Sequence, residues 1–191
     1  MLSQRVGIVS MVFLEGQRCY LRTLEIADVM PYTEMVARNM RYWSIHEPLH
    51  PPEYYTEKVQ LKKIQESIRQ MHANREYSFG IFASGTTEII GHISVYSIRR
   101  LPFSSAFVGY SMDEAHTGKG IVSDALSLVS KFAFEDLCIH RLEAYVSPEN
   151  VASVRVLEKA RFIREGLLRK LLYINGKWRD HYLYALMEED Y

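Results

Sequence analysis

The stretch Thr117-Gly118-Lys119-Gly120-Ile121 joins a strand-like run, Ala106 to Met112, to a run in which Ile121, Ala125, Leu128, Val129, Phe132 and Ala133 recur at helical spacing. The two glycines therefore stand at a helix start. There the first backbone N–H groups have no intrahelical partners and the helix dipole is positive. Phosphate oxygens can collect several hydrogen bonds at such a place if no side chain blocks the approach. Glycine removes that block. The chemistry is that of a pyrophosphate cradle, which points to a nucleotide-bearing cofactor. The same residues also fit a plain strand-to-helix turn in which Thr117 caps the helix and the glycines relieve backbone strain.

The downstream order weighs toward the cradle. Arg141-Leu142-Glu143-Ala144-Tyr145-Val146 alternates as a half-buried strand does, and Ser147-Pro148-Glu149-Asn150-Val151-Ala152-Ser153 opens a second helix that ends near Ala160. Asn150 reads as the N-cap of that helix and Ser153 as its third residue. Strand, glycine turn, helix, strand, Asn-x-x-Ser, helix is far more specific than the glycines alone.

With this order the chain resembles the GCN5-related N-acetyltransferase superfamily, and within it the ribosomal-protein alanine N-acetyltransferases of the RimJ/RimL type. The resemblance rests on Gly109-Tyr110-Ser111-Met112-Asp113 before the glycine turn and on Glu149-Asn150-Val151-Ala152-Ser153. It also rests on Phe162 with Glu165-Gly166, and on the opening Arg18 to Leu24 with Asp28 beyond it. The final segment Tyr173-Ile174-Asn175-Gly176-Lys177-Trp178-Arg179-Asp180-His181 looks more like the RimJ branch. The chain departs from the family pattern at Thr117, where Gln or Arg is common, at Val122, where a small residue is usual, and at Arg161, where glycine is usual. Leu172 stands where some RimL-like enzymes carry a glutamate base.

The resemblance implies an α/β (α+β) fold over a single domain spanning 1–191. Its centre is a mixed, mostly antiparallel sheet of about seven strands flanked by helices, with a splayed central strand pair that holds acetyl-CoA. It implies an acetyl-CoA-dependent N-acetyltransferase. The cosubstrate would be bound by Tyr110, Ser111 and Met112, by Thr117, Gly118, Lys119, Gly120, Ile121 and Val122 of the turn, and by Asn150 and Ser153. In catalysis, the Met112 N–H would polarise the thioester carbonyl, and the Ser153 hydroxyl would protonate the departing thiolate or orient a water. The acceptor would be the N-terminal α-amine of a protein such as a ribosomal protein. A small amine, a polyamine or aminoglycoside among them, and a non-catalytic CoA-binding role are the alternatives. The resemblance suits a cytoplasmic protein with no nucleic-acid partner, and a homodimer is compatible with it.

An α-amine, with a reference pKa of about 7.7 to 8.0, needs less deprotonation than lysine near 10.4. A water chain ending on Asp113, Glu114, His92 or Asp180 would then suffice as the proton path, although each of these also fits an ordinary surface or strand position. The segment 39–55, with Tyr42, Trp43, His46, Glu47 and Pro48, suits acceptor recognition, and equally suits a loop packed down by its own aromatics.

The elements that must position these groups are legible in outline. Leu14 to Leu24 reads as a strand broken by Gly16, Ile26 to Met40 as a helix with Pro31 in its first turns, and Glu57 to Ala73 as a helix with Val59, Leu61, Ile64, Ile68 and Met71 on one face. Tyr77 to Ala83 and Glu88 to Ile98 flank a turn at Ser84-Gly85. Asn175-Gly176 suits a two-residue hairpin turn that sets Tyr173 opposite Trp178, Leu171 opposite Asp180 and Arg169 opposite Tyr182. The face carrying Arg169, Tyr173, Trp178, Asp180 and Tyr182 fits either an aromatic ladder with a diagonal Arg169 to Asp180 ion pair or a wall of the acceptor pocket.

Composition sets the limits. Lys plus Arg equals Asp plus Glu at 23 each in 191 residues, so no global field draws the chain to nucleic acid or a membrane. Cys19 and Cys138, far apart in apolar surroundings, read as two buried reduced thiols, and the seven histidines lack metal-ligand spacing, so no metal is expected. The charged-then-apolar run from Arg5 to Leu14 lacks a small-residue cleavage site and is too short to span a bilayer, so it does not read as a signal peptide.

Overall fold

A computed structural model describes residues 11–191, and most of the run that begins at Arg5 lies outside them. Among the described residues eight strands form one sheet in the order β1-β2-β3-β4-β5-β6-β8-β7. The strand beyond the expected seven or so comes from Gly16. Phe13–Glu15 (β1) and Cys19–Thr23 (β2) are not one interrupted strand but an antiparallel hairpin, with Leu14 opposite Leu21. The Gly16 N–H donates to the Cys19 carbonyl at 3.0 Å, and a Cβ at Gly16 would lie 2.6 Å from the Asp124 carboxylate. Only glycine lets the turn approach that closely.

Tyr77–Ala83 (β3), Ile89–Arg99 (β4) and Ser105–Met112 (β5) continue the sheet antiparallel, as the turn at Gly85 led one to expect. Arg141–Val146 (β6) joins β5 in parallel through a helical crossover, Ile121–Glu135 (α4). Lys177–Met187 (β8) then pairs with β6, and Ile163–Ile174 (β7) forms the edge.

Alternate residues of each strand face opposite sides of the sheet, and each side has its own core. On one side Leu21, Ile81, Ile90 and Val108 pack against Ala125, Leu126, Val129 and Phe132 of α4. On the other, Phe82 and Ile89 meet Tyr32, Met35 and Val36 of Val29–Arg38 (α1) and Ile64 of Glu57–His72 (α3). The expected helix from Ile26 to Met40 is divided: a 3-10 turn at Ile26–Asp28 precedes α1, and after Asn39 the chain restarts as Met40–Trp43 (α2). Of the expected apolar face of α3, Ile64 and Met71 are buried, whereas Val59, Leu61 and Ile68 are half-buried. Among the described residues no helix is long and apolar enough to cross a membrane.

The last hairpin corrects its expected register. Tyr173 does face Trp178, with ring centroids 5.5 Å apart, but the ladder slips between Leu168 and Leu172, so Leu167 and not Arg169 lies opposite Tyr182. Lys170 sits in the bulge at φ +51°, and its N–H donates to Asp180 Oδ1 at 2.8 Å. A bulge leaves a backbone donor without a ladder partner. Asp180 satisfies that donor in place of the expected ion pair with Arg169. The thiols need a correction too. Both are free, but only Cys19 is buried, where burial foremost and then Asp124 push its pKa up to about 12. Cys138 is exposed because it turns the chain at φ +53° between the buried Leu137 and Ile139.

The end of α1 is latched to the chain just beyond β5. Arg38 Nε donates to Asp113 Oδ2 at 2.6 Å, Asn39 Oδ1 accepts the Glu114 N–H at 2.9 Å, and Asp113 Oδ1 accepts the Ala115 N–H at 3.1 Å. Burial opposes ionisation of Asp113, but Arg38, the Ala115 N–H and the Asn39 side chain outweigh it and hold the carboxyl below its usual range. Arg38→Ala strands a buried carboxylate and is expected to cost about 1–3 kcal/mol in urea unfolding at neutral pH. A depressed carboxyl pKa contributes stability above its unfolded value, about 3.9, and loses it as pH falls toward the folded one. The gap between wild type and variant should therefore narrow below about pH 4.

Candidate active site

β5 and β6 pair only over Ser105–Phe107 and Arg141–Glu143. Beyond that point β5 stays on β4 as far as Gly91 opposite Met112, and β6 stays on β8 as far as Val146 opposite Tyr182. Each strand is held by its outer neighbour, and the two part. A cavity of about 590 Å³ opens at the gap, and every residue expected to contact a cosubstrate, from Tyr110 through the glycine turn to Ser153, lines it.

The Asp113 N–H bonds the Ile90 carbonyl of β4 at 2.8 Å, so strand alternation turns the N–H and C=O of Met112 to the opposite edge, into the gap. Its carbonyl accepts the indole N–H of Trp43 at 2.8 Å. In the turn Gly118 and Gly120 have φ of +74° and +77°. Thr117 is not the helix cap that one reading allowed. Its hydroxyl donates to the Glu114 carbonyl at 2.9 Å, and the N-cap of α4 is Gly120, which supplies no side-chain cap. A Cβ at Gly118 would meet nothing within 4 Å, so the turn is open to a ligand there, whereas one at Gly120 would touch the Arg18 side chain at 3.4 Å, which places a further cation beside the helix start. The cations Lys119, Arg155 and Lys159 line the same cavity, and Arg18 Nη1 reaches the Lys119 carbonyl at 3.4 Å. Bare helix amides with cations around them fit a pyrophosphate.

On the facing side Asn150 caps Val151–Lys159 (α5) as expected, its Oδ1 accepting the Ser153 N–H at 3.1 Å. Arg161, standing in a glycine position, closes this helix at φ +64°. The Ser153 hydroxyl lies 2.8 Å from the Tyr110 hydroxyl. Burial, opposed by the Ser153 bond, pushes the Tyr110 pKa up to about 12, which keeps the phenol protonated at neutral pH.

None of the four groups considered for the proton path lines the cavity. Asp113 is consumed by Arg38, and Asp180 by the bulge at Lys170. Glu114 engages Asn39 and Thr117 through its backbone. His92 lies edge-on to the Trp43 ring at 5.5 Å, and burial, helped by Lys63, lowers its pKa to about 4. Leu172 is also outside the lining. The carboxylates and imidazoles that do line it are His46, Glu47, His116 and Glu149, and of these Glu47, which residue patterns placed only in a loop suited to acceptor recognition, bonds to β5. Its carboxylate accepts a bond from the Ser111 hydroxyl, and burial raises its pKa, against the lowering effects of Ser111 and Lys63. The signal in the sequence was a lone acid between His46 and Pro48 in an aromatic segment. That segment has two parts: Tyr42, Trp43, His46 and Glu47 wall the cavity, while His50 stacks on Tyr54 at 3.7 Å and Tyr54 packs on Tyr55 at 5.2 Å.

Residues 18–163 match the family model described as an acetyltransferase (GNAT) domain. The chain belongs to this GNAT family. It is 40% identical over 177 residues to Probable N-acetyltransferase YjcK of Bacillus subtilis, covering 93% of this chain and 98% of that protein. It is 30% identical over 186 residues to the [Ribosomal protein uS5]-alanine N-acetyltransferase of Escherichia coli, covering 96% and 94% of the two chains. The solved structure of Mycobacterium smegmatis RimJ in complex with CoA-disulfide superposes with a TM-score of 0.89 at 26% identity, over 94% of this chain and 88% of that one. This GNAT protein is accordingly an acetyl-CoA-dependent N-acetyltransferase, and its open, uncapped α4 start suits the cosubstrate's pyrophosphate.

Gly120→Val, which puts a branched side chain at φ +77° and against Arg18 at the helix start, is expected to weaken CoA binding by at least about tenfold, a loss of about 1.4 kcal/mol or more. Calorimetry on a variant with a native circular dichroism spectrum measures it. Unchanged affinity would contradict the assignment of the turn.

Proposed function

We propose that the enzyme acetylates the α-amine at a protein N-terminus, such as that of a ribosomal protein in the cytoplasm. The charge of the cavity carries this reading. Its wall has two carboxylates, Glu47 and Glu149, against Lys119, Arg155 and Lys159. Glu149 is exposed and lies 3.7 Å from Arg179. A polyamine or an aminoglycoside brings several positive charges and calls for a cluster of acids, whereas a peptide terminus brings one. The similarity to the uS5-alanine enzyme over nearly the whole of both chains supports the same reading, and the Tyr173 to His181 hairpin favours the RimJ branch.

Bound acetyl-CoA supplies an acetyl group activated as a thioester. The Met112 N–H, turned into the gap, is suited to polarise the thioester carbonyl as charge develops on its oxygen. Ser153, bonded to the protonated Tyr110, is suited to donate a proton to the departing sulfur, with Tyr110 replenishing it. Tyr110, Ser111 and Asn150 together with the turn from Thr117 to Val122 make up the rest of the proposed cosubstrate site.

An α-amine is easier to neutralise than lysine by about 3 kcal/mol. With a peptide carrying both a free terminus and an internal lysine, mass spectrometry should therefore find the acetyl group on the terminus. Enzyme-dependent labelling of the lysine at neutral pH would overturn the proposal. Ser153→Ala should lower kcat by about 10²- to 10⁴-fold with little change in CoA affinity, if the hydroxyl acts as a general acid.

A further inference from the structure

We infer that Glu47 is the group that takes the proton from the acceptor amine, and that Asn175, at the tip of the last hairpin, is the positioning residue that holds Glu47 in place. The inference rests on the amine-acetylating activity of this site and is independent of which amine is accepted.

Glu47 belongs to a segment with no regular structure between α2 and Pro52, whose neighbours Ile45 and Leu49 are 61% and 62% exposed. An irregular, exposed segment does not by itself hold a carboxylate at one point in a cavity. Two attachments do so here. Trp43 is pinned to the Met112 carbonyl, and the Glu47 N–H bonds back to the Trp43 carbonyl at 2.9 Å. From the other side the Asn175 side-chain amide spans the segment. Its Nδ2 donates to the Ser44 carbonyl at 2.6 Å, and its Oδ1 accepts the Leu49 N–H at 3.1 Å. The two bonds fall on either side of Glu47. Asn175 also holds φ +50° in the hairpin turn, so the residue that turns the chain also clasps the loop.

Held this way, Glu47 reaches Ser111 on β5 and lines the cavity that Tyr110 and Ser153 line. The charged and titratable groups that face it are Lys63 from α3, Tyr32 from α1 and Tyr55 from the turn after Pro52. Burial lifts the Glu47 pKa toward the working pH, which makes its carboxylate a stronger base than an exposed glutamate. Overall, a protonated amine and a thioester give an amide, a thiol and one proton to solvent. Glu47 accepts a proton from the ammonium, and the electron pair of that N–H bond forms the new C–N bond as the C–S bond breaks and its pair leaves with sulfur. The nitrogen loses a second proton to solvent, and Ser153, having given its proton to the sulfur, regains one from solvent through Tyr110, so that these two transfers cancel. The proton on Glu47 then leaves to solvent, and the carboxylate is restored.

The test measures rates from about pH 6 to 9.5 with any primary amine that the wild type acetylates, so that a wrong acceptor assignment and a wrong base are separate results. Glu47→Gln should lower kcat by about 10²- to 10⁴-fold near pH 7. The deficit should shrink as pH rises and the amine loses its proton in solution, while CoA affinity stays unchanged. Glu47→Asp should keep the wild-type pH profile at a reduced rate, which secures the test if the glutamine variant folds poorly. Asn175→Gly preserves the left-handed turn but removes the clasp. It should lower kcat with CoA affinity unchanged, and its deficit too should shrink at high pH. A loss under about tenfold in Glu47→Gln, or one equal at every pH, would overturn the assignment of Glu47. Wild-type kcat in Asn175→Gly would overturn that of Asn175.

Discussion

The site depends on a strand pair that stops pairing. β5 and β6 share a short parallel ladder and then separate, each kept straight by its antiparallel neighbour on the outer side. Had the parallel ladder continued, the backbone of Met112 would be spent on the sheet, and Tyr110 and Ser153 would have no cavity to face. Because the outer ladders hold the strands apart, the gap is built in at the cost of only a few hydrogen bonds, and water or a ligand can take their place. The chain leaves β5 at the mouth of this gap and enters α4 there, so the bare amides of the helix start and the free edge of the strand lie side by side.

Three attachments hold the parts of the chain around the cavity in place. Arg38 and Asn39 latch the end of α1 to Asp113 and Glu114, just before the glycine turn. Asp124, in the first turn of α4, accepts the N–H groups of Arg18 and Cys19 at 2.7 and 3.3 Å, which ties the helix start to the β1–β2 hairpin. Asn175 joins the tip of the last hairpin to the loop that carries Glu47. In each case a polar side chain satisfies backbone groups that turns and loops leave without partners, and in doing so brings distant parts of the chain together. The acids Asp113 and Asp180 are used in this way, which removes them from the chemistry. Glu47 bonds to a serine hydroxyl in the cavity instead.

Most of the elements and the residues that line the cavity around the glycine turn were legible in the sequence. Helical spacing after Gly120, alternation over Arg141–Val146, and Asn150 capping the helix of Ser153 are local signals with a period of a few residues, and the structure agrees with each of them. The glycine turn was legible for the same reason, since a positive φ at a helix start is a demand that the residue type itself records. The two-strand hairpin at Gly16 and the slip between Leu168 and Leu172 were not, because both are settled by what the backbone meets, the Asp124 carboxylate in one case and Asp180 in the other.

By itself, then, the sequence determined the order and type of most of the elements, the glycine turn before α4, and the pairing of a capping Asn150 with Ser153. Spacing along the chain carries this information because hydrogen bonding and side-chain direction within one element repeat over short distances. Only the tertiary structure decided which of the candidate proton acceptors lines the cavity. Asp113, Glu114, His92, Asp180 and Glu47 are all acceptable proton acceptors by type. The choice among them depends on partners distant in sequence: Arg38 for Asp113, the Lys170 amide for Asp180, burial for His92, and Ser111 with the Asn175 clasp for Glu47. A carboxylate's chemistry follows from its neighbours and its access to water, and folding sets both.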